Sequence, residues 1–167
     1  MTTALWTLRV LVVLAIATAL HWSLPSRDIV RILGTEVVRM RTGGGGEDAP
    51  ATRDVRHINA VTPEGDVRVY RNEDTGWGWP PYLKFDSANL AAKAANAASI
   101  EDDPRWMIVT HYGWRVTLMS WFPNAIEITP AEGPDQRLIP WFNIVVVTLL
   151  AAVLLVVRHR VRRLLGL

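Results

Sequence analysis

Trp141 to Val157 reads WFNIVVVTLLAAVLLVV, and Arg158 to Arg163 follows at once as RHRVRR. Within those seventeen residues only Asn143 and Thr148 carry polar side chains, and Leu138 and Ile139 extend the apolar run upstream. About 20 such residues cross a hydrocarbon core of roughly 30 Å, so the stretch is predicted to be a transmembrane helix. A buried core helix is the competing reading. An apolar run closed by four arginines in six residues fits a bilayer edge better than a core.

The other end of the chain repeats the pattern more weakly. Val10 to Leu20 reads VLVVLAIATAL, and extension to Leu5 and Leu24 gives a second span of bilayer length. Trp6 and Trp22 sit at its edges, as Trp141 does at the edge of the later span, and indoles favour that depth. Arg9 lies one turn inside, where its stem can reach the headgroups. A cleaved secretory signal competes, because Ala17-Thr18-Ala19 is a possible cleavage site. The retained anchor is the preferred reading.

Charge then gives orientation. The 167 residues hold 18 Lys plus Arg and 16 Asp plus Glu, for a net charge of +2. All sixteen acids lie between Asp28 and Asp135, and thirteen bases from Arg27 to Arg137 leave the middle at −3. The remaining five bases are Arg9, Arg158, Arg160, Arg162 and Arg163, so the ends carry +5. A nucleic-acid-binding domain would concentrate basic charge on its folded part, and this chain does the opposite. Arg158, Arg160 and their neighbours keep the second span's end in the cytoplasm, and two spans then put both termini there. The expected organisation is a helix over 1–24, an extracytoplasmic domain over 25–140, a helix over 141–157 and a basic tail over 158–167. Cysteine is absent, which permits that location without demanding it.

The middle reads as one small, mainly β domain. Ile29 to Met40, IVRILGTEVVRM, is rich in β-branched residues and predicts a half-exposed strand. TGGGGEDAPAT follows, and four glycines closed by Pro50 predict a flexible loop over 42–52. It lacks the Lys-Ser/Thr ending of a phosphate-binding loop. DVRHINAV, TPEG and DVRVYRNED predict a β-hairpin, in which the spacing of Val55 and Ile58 calls for a bulge. SANLAAKAANAAS predicts a short helix capped by Asp86 or Ser87. WMIVTHYGWRVTLMSW and NAIEITPAE predict two or three more strands, with a turn at Phe122-Pro123-Asn124. Short strands with one intervening helix point to a small OB-like barrel of α+β class, or to a small sandwich.

Eight tryptophans against three tyrosines and three phenylalanines are the most unusual feature of the composition. Trp77 and Trp79, with Pro80 and Tyr82 in TGWGWPPY, predict either an exposed aromatic platform or a lid folded over the barrel. Arg71, Glu73 and Asp74 could line a polar pocket beside Trp77 or pair on the surface. His111 and Arg115 in THYGWR form a second cluster, but strand alternation puts His111 and Tyr112 on opposite faces. No spacing suits a metal, no G-x-S-x-G elbow occurs and no cofactor motif is present, so no enzymatic role is expected.

The runs RDIVRILGTEVVRM, VYRNEDTGWGWPPYLKFDS, THYGWR, FPNAIEI and LIPWFN together resemble an uncharacterised family of bacterial inner-membrane proteins, domain of unknown function 1523. The resemblance covers nearly the whole chain. It implies two spans around a periplasmic domain and implies no reaction. The later part, THYGWR to SWFPNAIEI, also resembles small secreted barrel proteins with a G-W-R…S-W-Y-P-N pattern. The leading expectation is a domain that binds or organises another membrane or envelope protein. The alternatives are a small-ligand or oligosaccharide receptor using Trp77 and Trp79, and an envelope enzyme using His111 or Asp74.

Overall fold

The computed structural model describes residues 2–41 and 52–164. The expected flexible loop at 42–52 lies outside the described residues apart from Thr52, which opens a strand. Two units are present, one through Gln136 and the other from Arg137 onward.

The first unit opens with α1, Thr2–Ser23, a helix of 22 residues whose apolar window spans Trp6–Ser23. Pro25 ends it, because proline pushes the preceding Leu24 out of the helical region. Strand β1, Ser26–Arg41, starts immediately and is longer than the sequence pattern suggested. Its first half, Ser26 to Arg31, pairs antiparallel with β4, Trp106–Tyr112. From Arg31 onward it pairs with β2, Thr52–Val61. The register shifts between Ile32 and Gly34, so the bulge sits in β1 and not between Val55 and Ile58. Both of those side chains are buried, and the unbroken register there puts them on opposite faces of β2.

The hairpin continues through Thr62–Asp66 into β3, Val67–Arg71. Its turn needs Gly65, which adopts φ +91°. Arg71 then meets Asn124 at the start of β5, Asn124–Pro130, in a parallel pairing that closes a barrel of order β1-β2-β3-β5-β4. Between β3 and β4 comes α2, Ser87–Ala97, with the Asp86 side chain accepting the Asn89 amide at 3.3 Å. Leu90, Ala94 and Ala97 recur at helical spacing on its buried face. Alanine there lets the helix approach β1 and β5 closely. The core gathers Val30, Ile32, Ile58, Tyr70, Val109 and Ile128 around those alanines.

Strand β4 stops at Tyr112, short of the run the sequence suggested. Gly113 adopts φ +88°, which breaks the extended chain, and a short 3₁₀ turn follows at Thr117–Met119. The expected turn at Phe122–Asn124 is instead the lead into β5.

In the second unit α3, Trp141–Leu164, has 24 residues and includes Arg158, Arg160, Arg162 and Arg163. None of its residues is buried. Both α1 and α3 are long and apolar enough to cross a membrane.

Ile58 is fully buried, whereas Val37 on the neighbouring strand is mostly exposed. Ile58→Ala is expected to cost about 2–5 kcal/mol in denaturant unfolding, and Val37→Ala no more than about 0.5 kcal/mol.

Candidate functional site

The last turn of α1 is built into one end of the barrel. A helix leaves its final carbonyls without partners inside the helix. Here the Gly113 amide donates to the Trp22 carbonyl at 3.0 Å, and the Tyr82 hydroxyl donates to that of Ser23. The Tyr82 ring stacks on Tyr112 with centroids 5.0 Å apart, and Tyr112 meets Trp22 edge-on at 5.7 Å. Trp114 Nε1 donates to His21 Nδ1 at 2.7 Å. A side chain at position 113 would put its Cβ 3.6 Å from Trp22 Nε1 in a backbone region that favours glycine.

Beside this junction a cavity of about 440 Å³ is lined by Asp28, Arg68, Tyr70, His111, Trp114 and Arg115, among others. The Tyr70 hydroxyl donates to Asp28 Oδ2 at 2.6 Å, and His111 Nε2 lies 3.1 Å from the same oxygen. Burial alone would raise the Asp28 carboxyl, but the hydrogen bonds from His111 and Tyr70 outweigh it and hold it below its ordinary value. Burial, with the Asp28 charge second, pushes the Tyr70 hydroxyl far up. Asp28 is thus an anion at neutral pH and Tyr70 a fixed donor. His111 is buried, and its Nδ1 has no partner among the described residues. Elsewhere, burial pushes the His57 imidazole below its usual value, 5.0 Å from the Phe122 ring. Among the described residues no group of three or more His, Asp or Glu is placed to hold a metal ion.

The second cluster is the loop between β3 and α2. Thr75 and Lys84 close its base: the Thr75 amide donates to the Lys84 carbonyl at 3.0 Å, and the Lys84 amide donates to Thr75 Oγ1 at 3.0 Å. Below that neck Lys84 Nζ is buried and donates to Asn72 Oδ1 at 2.6 Å and to the Ala125 carbonyl at 2.7 Å. Asn124 exchanges hydrogen bonds with the Glu73 backbone at 2.9 and 3.0 Å and reaches the Tyr112 hydroxyl at 3.2 Å. Burial lowers the Lys84 amine to about 8, against the pull of Asp74 and Asp86. Pro80 is fully buried, whereas Trp77 is 85% and Trp79 72% exposed. Trp77 meets Phe85 edge-on at 5.6 Å, and Leu83 and Phe85 lead into a groove of about 680 Å³ along α2.

The residues singled out from the sequence are spread over several places. Trp77, Trp79, Pro80 and Tyr82 belong to the loop, with Tyr82 at its foot on α1. Asp74 does not join the indoles: it accepts the Ser87 amide at 2.8 Å and caps the start of α2. Arg71 pairs with Glu73 at 3.2 Å. His111 and Arg115 line the cavity, with Arg115 donating to the Trp121 carbonyl at 3.0 Å and lying over the Phe122 ring. Trp6 and Trp141 are exposed, Trp22 is half-buried against the barrel, and Arg158 and Arg160 are exposed on α3. Asp28, Tyr70, Asn72, Lys84 and Asn124 escaped notice because each is a single polar residue in an unremarkable strand or loop.

The fold and the site together describe a small β-barrel clamped to the end of an apolar helix and carrying an aromatic loop. Its membership follows from comparison. The chain belongs to the family described as "Protein of unknown function (DUF1523)", whose model matches residues 1–165. A Haemophilus influenzae protein described as "Uncharacterized protein" is 38% identical over 143 residues, covering 81% of this chain and 79% of that one. No solved structure matches the chain.

The low Lys84 value has a definite sign. Folding depresses the amine, so its charge opposes folding below about pH 8, and the penalty fades as pH rises toward the ordinary 10.5. The stability of the wild type relative to Lys84→Met should therefore rise between pH 8 and 10.5, by on the order of 3 kcal/mol. Denaturant unfolding across that window checks it, and a flat difference would count against a buried amine.

Proposed function

We propose that this is a two-span bacterial inner-membrane protein whose periplasmic, OB-like barrel docks a membrane-protein partner through the Trp77–Trp79 loop. The length and apolar character of α1 and α3 support the two spans. Arg158, Arg160, Arg162 and Arg163 favour cytoplasmic termini, and the slightly acidic middle favours the other side. A retained first helix is supported by its last turn, whose residues His21, Trp22 and Ser23 are part of the barrel's own packing. The closed order β1-β2-β3-β5-β4, with α2 between β3 and β4, supports an OB-like reading of the barrel.

One observation carries the docking role. Two indoles stand in solvent on a loop whose neck is locked by Lys84, Pro80 and Tyr82. Holding them there exposes apolar surface at a cost, and tryptophan is among the residues that dominate binding energy at protein interfaces. The adjoining groove mixes apolar Leu83, Phe85, Leu90 and Ile126 with polar Asp86, Asn89, Lys93 and Glu127, which suits a protein segment. Tyr82 holds the loop's foot against the end of α1, which favours a partner that is itself a membrane protein.

Trp77→Ala with Trp79→Ala is expected to abolish co-purification of that partner from mild detergent. Both indoles are exposed, so the unfolding midpoint should stay within error of the wild type. Undiminished co-purification from the double variant would sink the docking role.

A further inference from the structure

We infer that the β4–β5 loop, Gly113–Pro123, is a membrane-inserting wedge, with Leu118, Met119 and Trp121 entering the lipid headgroup region beside the end of α1. The inference rests on the reading of α1 as a membrane span. It concerns a surface separate from the Trp77–Trp79 loop.

Leu118 is 92%, Met119 58% and Trp121 56% exposed, three large apolar side chains within four residues. The loop that carries them is ordered by its own backbone. Val116 and Trp121 exchange hydrogen bonds at 3.1 and 3.0 Å, and the 3₁₀ turn Thr117–Met119 and the left-handed Ser120 fill the space between. Arg115 braces it by donating to the Trp121 carbonyl. The structure thus holds these side chains outward, where water is the wrong solvent for them.

What covers them follows from where the loop is rooted. Its first two residues are hydrogen-bonded to the last turn of α1, Gly113 to Trp22 and Trp114 to His21. The apolar window of α1 ends at Ser23, so the root lies where the hydrocarbon stops. The tip at Leu118 is five residues from Gly113, a reach of at most roughly 17 Å in extended chain, so the interfacial layer is accessible to it. The loop's own charge agrees with a lipid surface: no acidic residue occurs between Asp103 and Glu127, while Arg115 in the loop is a cation. Tryptophan and long apolar side chains flanked by arginine are what such a layer receives. The opposite reach of the barrel, where β1 and β2 extend beyond β4, instead carries the exposed Arg39–Asp54 ion pair.

The chain has no cysteine, so single labels are easily placed. Leu118→Cys, Leu14→Cys and Ile100→Cys of the full chain are each labelled with an environment-sensitive fluorophore. The proteins are reconstituted in vesicles of phosphatidylethanolamine and phosphatidylglycerol, with nitroxide lipids as quenchers. Ile100 is exposed and precedes the end of β4 remote from α1, so it reports water. The wedge predicts a blue-shifted Leu118 label, quenched several-fold more than the Ile100 label by a nitroxide near the headgroups. The Leu14 label should respond to a nitroxide deep in the acyl chains. A Leu118 label that behaves like the Ile100 label, with the Leu14 label deep, overturns the wedge alone and leaves the patch to a protein occupant. A Leu14 label that no nitroxide quenches overturns the span, and the wedge with it.

Discussion

Two carbonyls at the end of α1 govern the arrangement of everything outside the helices. Those of Trp22 and Ser23 have no amide of their own helix to accept from, because the chain turns away at Pro25. The barrel supplies the donors: the Gly113 amide and the Tyr82 hydroxyl. A hydrogen bond of this kind is worth only about 1 kcal/mol net, but leaving a buried carbonyl unpaired costs about 1–3 kcal/mol. The junction is thus specified mostly by what breaking it would cost. The rings of Trp22, Tyr112 and Tyr82 pack around it, and the edge-on and stacked pairs add roughly 0.5–1.5 kcal/mol each. The helix and the barrel are held in one orientation.

The two interior polar networks serve the same end. Asp28, Tyr70 and His111 tie the beginning of β1 to β3 and to the end of β4. Lys84, Asn72 and Asn124 tie the neck of the aromatic loop to the ends of β3 and β5. Each network is largely satisfied internally, and a satisfied buried network fixes geometry more than it adds stability. Tyr112 joins them: its chain neighbour His111 faces Asp28, while its own hydroxyl meets Asn124. Opposite faces of one strand therefore brace the two loops that flank the end of α1.

Much of this architecture is legible in the residues. WFNIVVVTLLAAVLLVV and VLVVLAIATAL announce two apolar helices, and the hairpin turn at TPEG and the helix capped by Asp86 follow from local chemistry. The aromatic loop also stands out, since two tryptophans beside paired prolines are rare in any pattern. Other features depend on contacts distant in sequence. Nothing local places the bulge at Ile32–Gly34, because it fits β1 to strands that lie far along the chain. Trp22 reads as a membrane-edge indole until Tyr112, ninety positions later, is seen against it. Lys84 reads as a surface lysine because its partners Asn72 and Ala125 come from other elements. His111 reads equally as a proton donor or as a hydrogen-bonded strand residue, because its partner Asp28 comes from β1, far away in the sequence.

The end of α1 and the barrel behave as one rigid body, held by the Gly113 and Tyr82 hydrogen bonds. Amide hydrogen exchange at Gly113, measured on the full chain in lipid discs, tests this most directly. The Gly113 amide should exchange as slowly as those of Val109 and Tyr112 in β4, because its hydrogen is held by the Trp22 carbonyl. Exchange at the fast rate of an open loop, with β4 still protected, would show that the helix and the barrel part freely and would contradict the account.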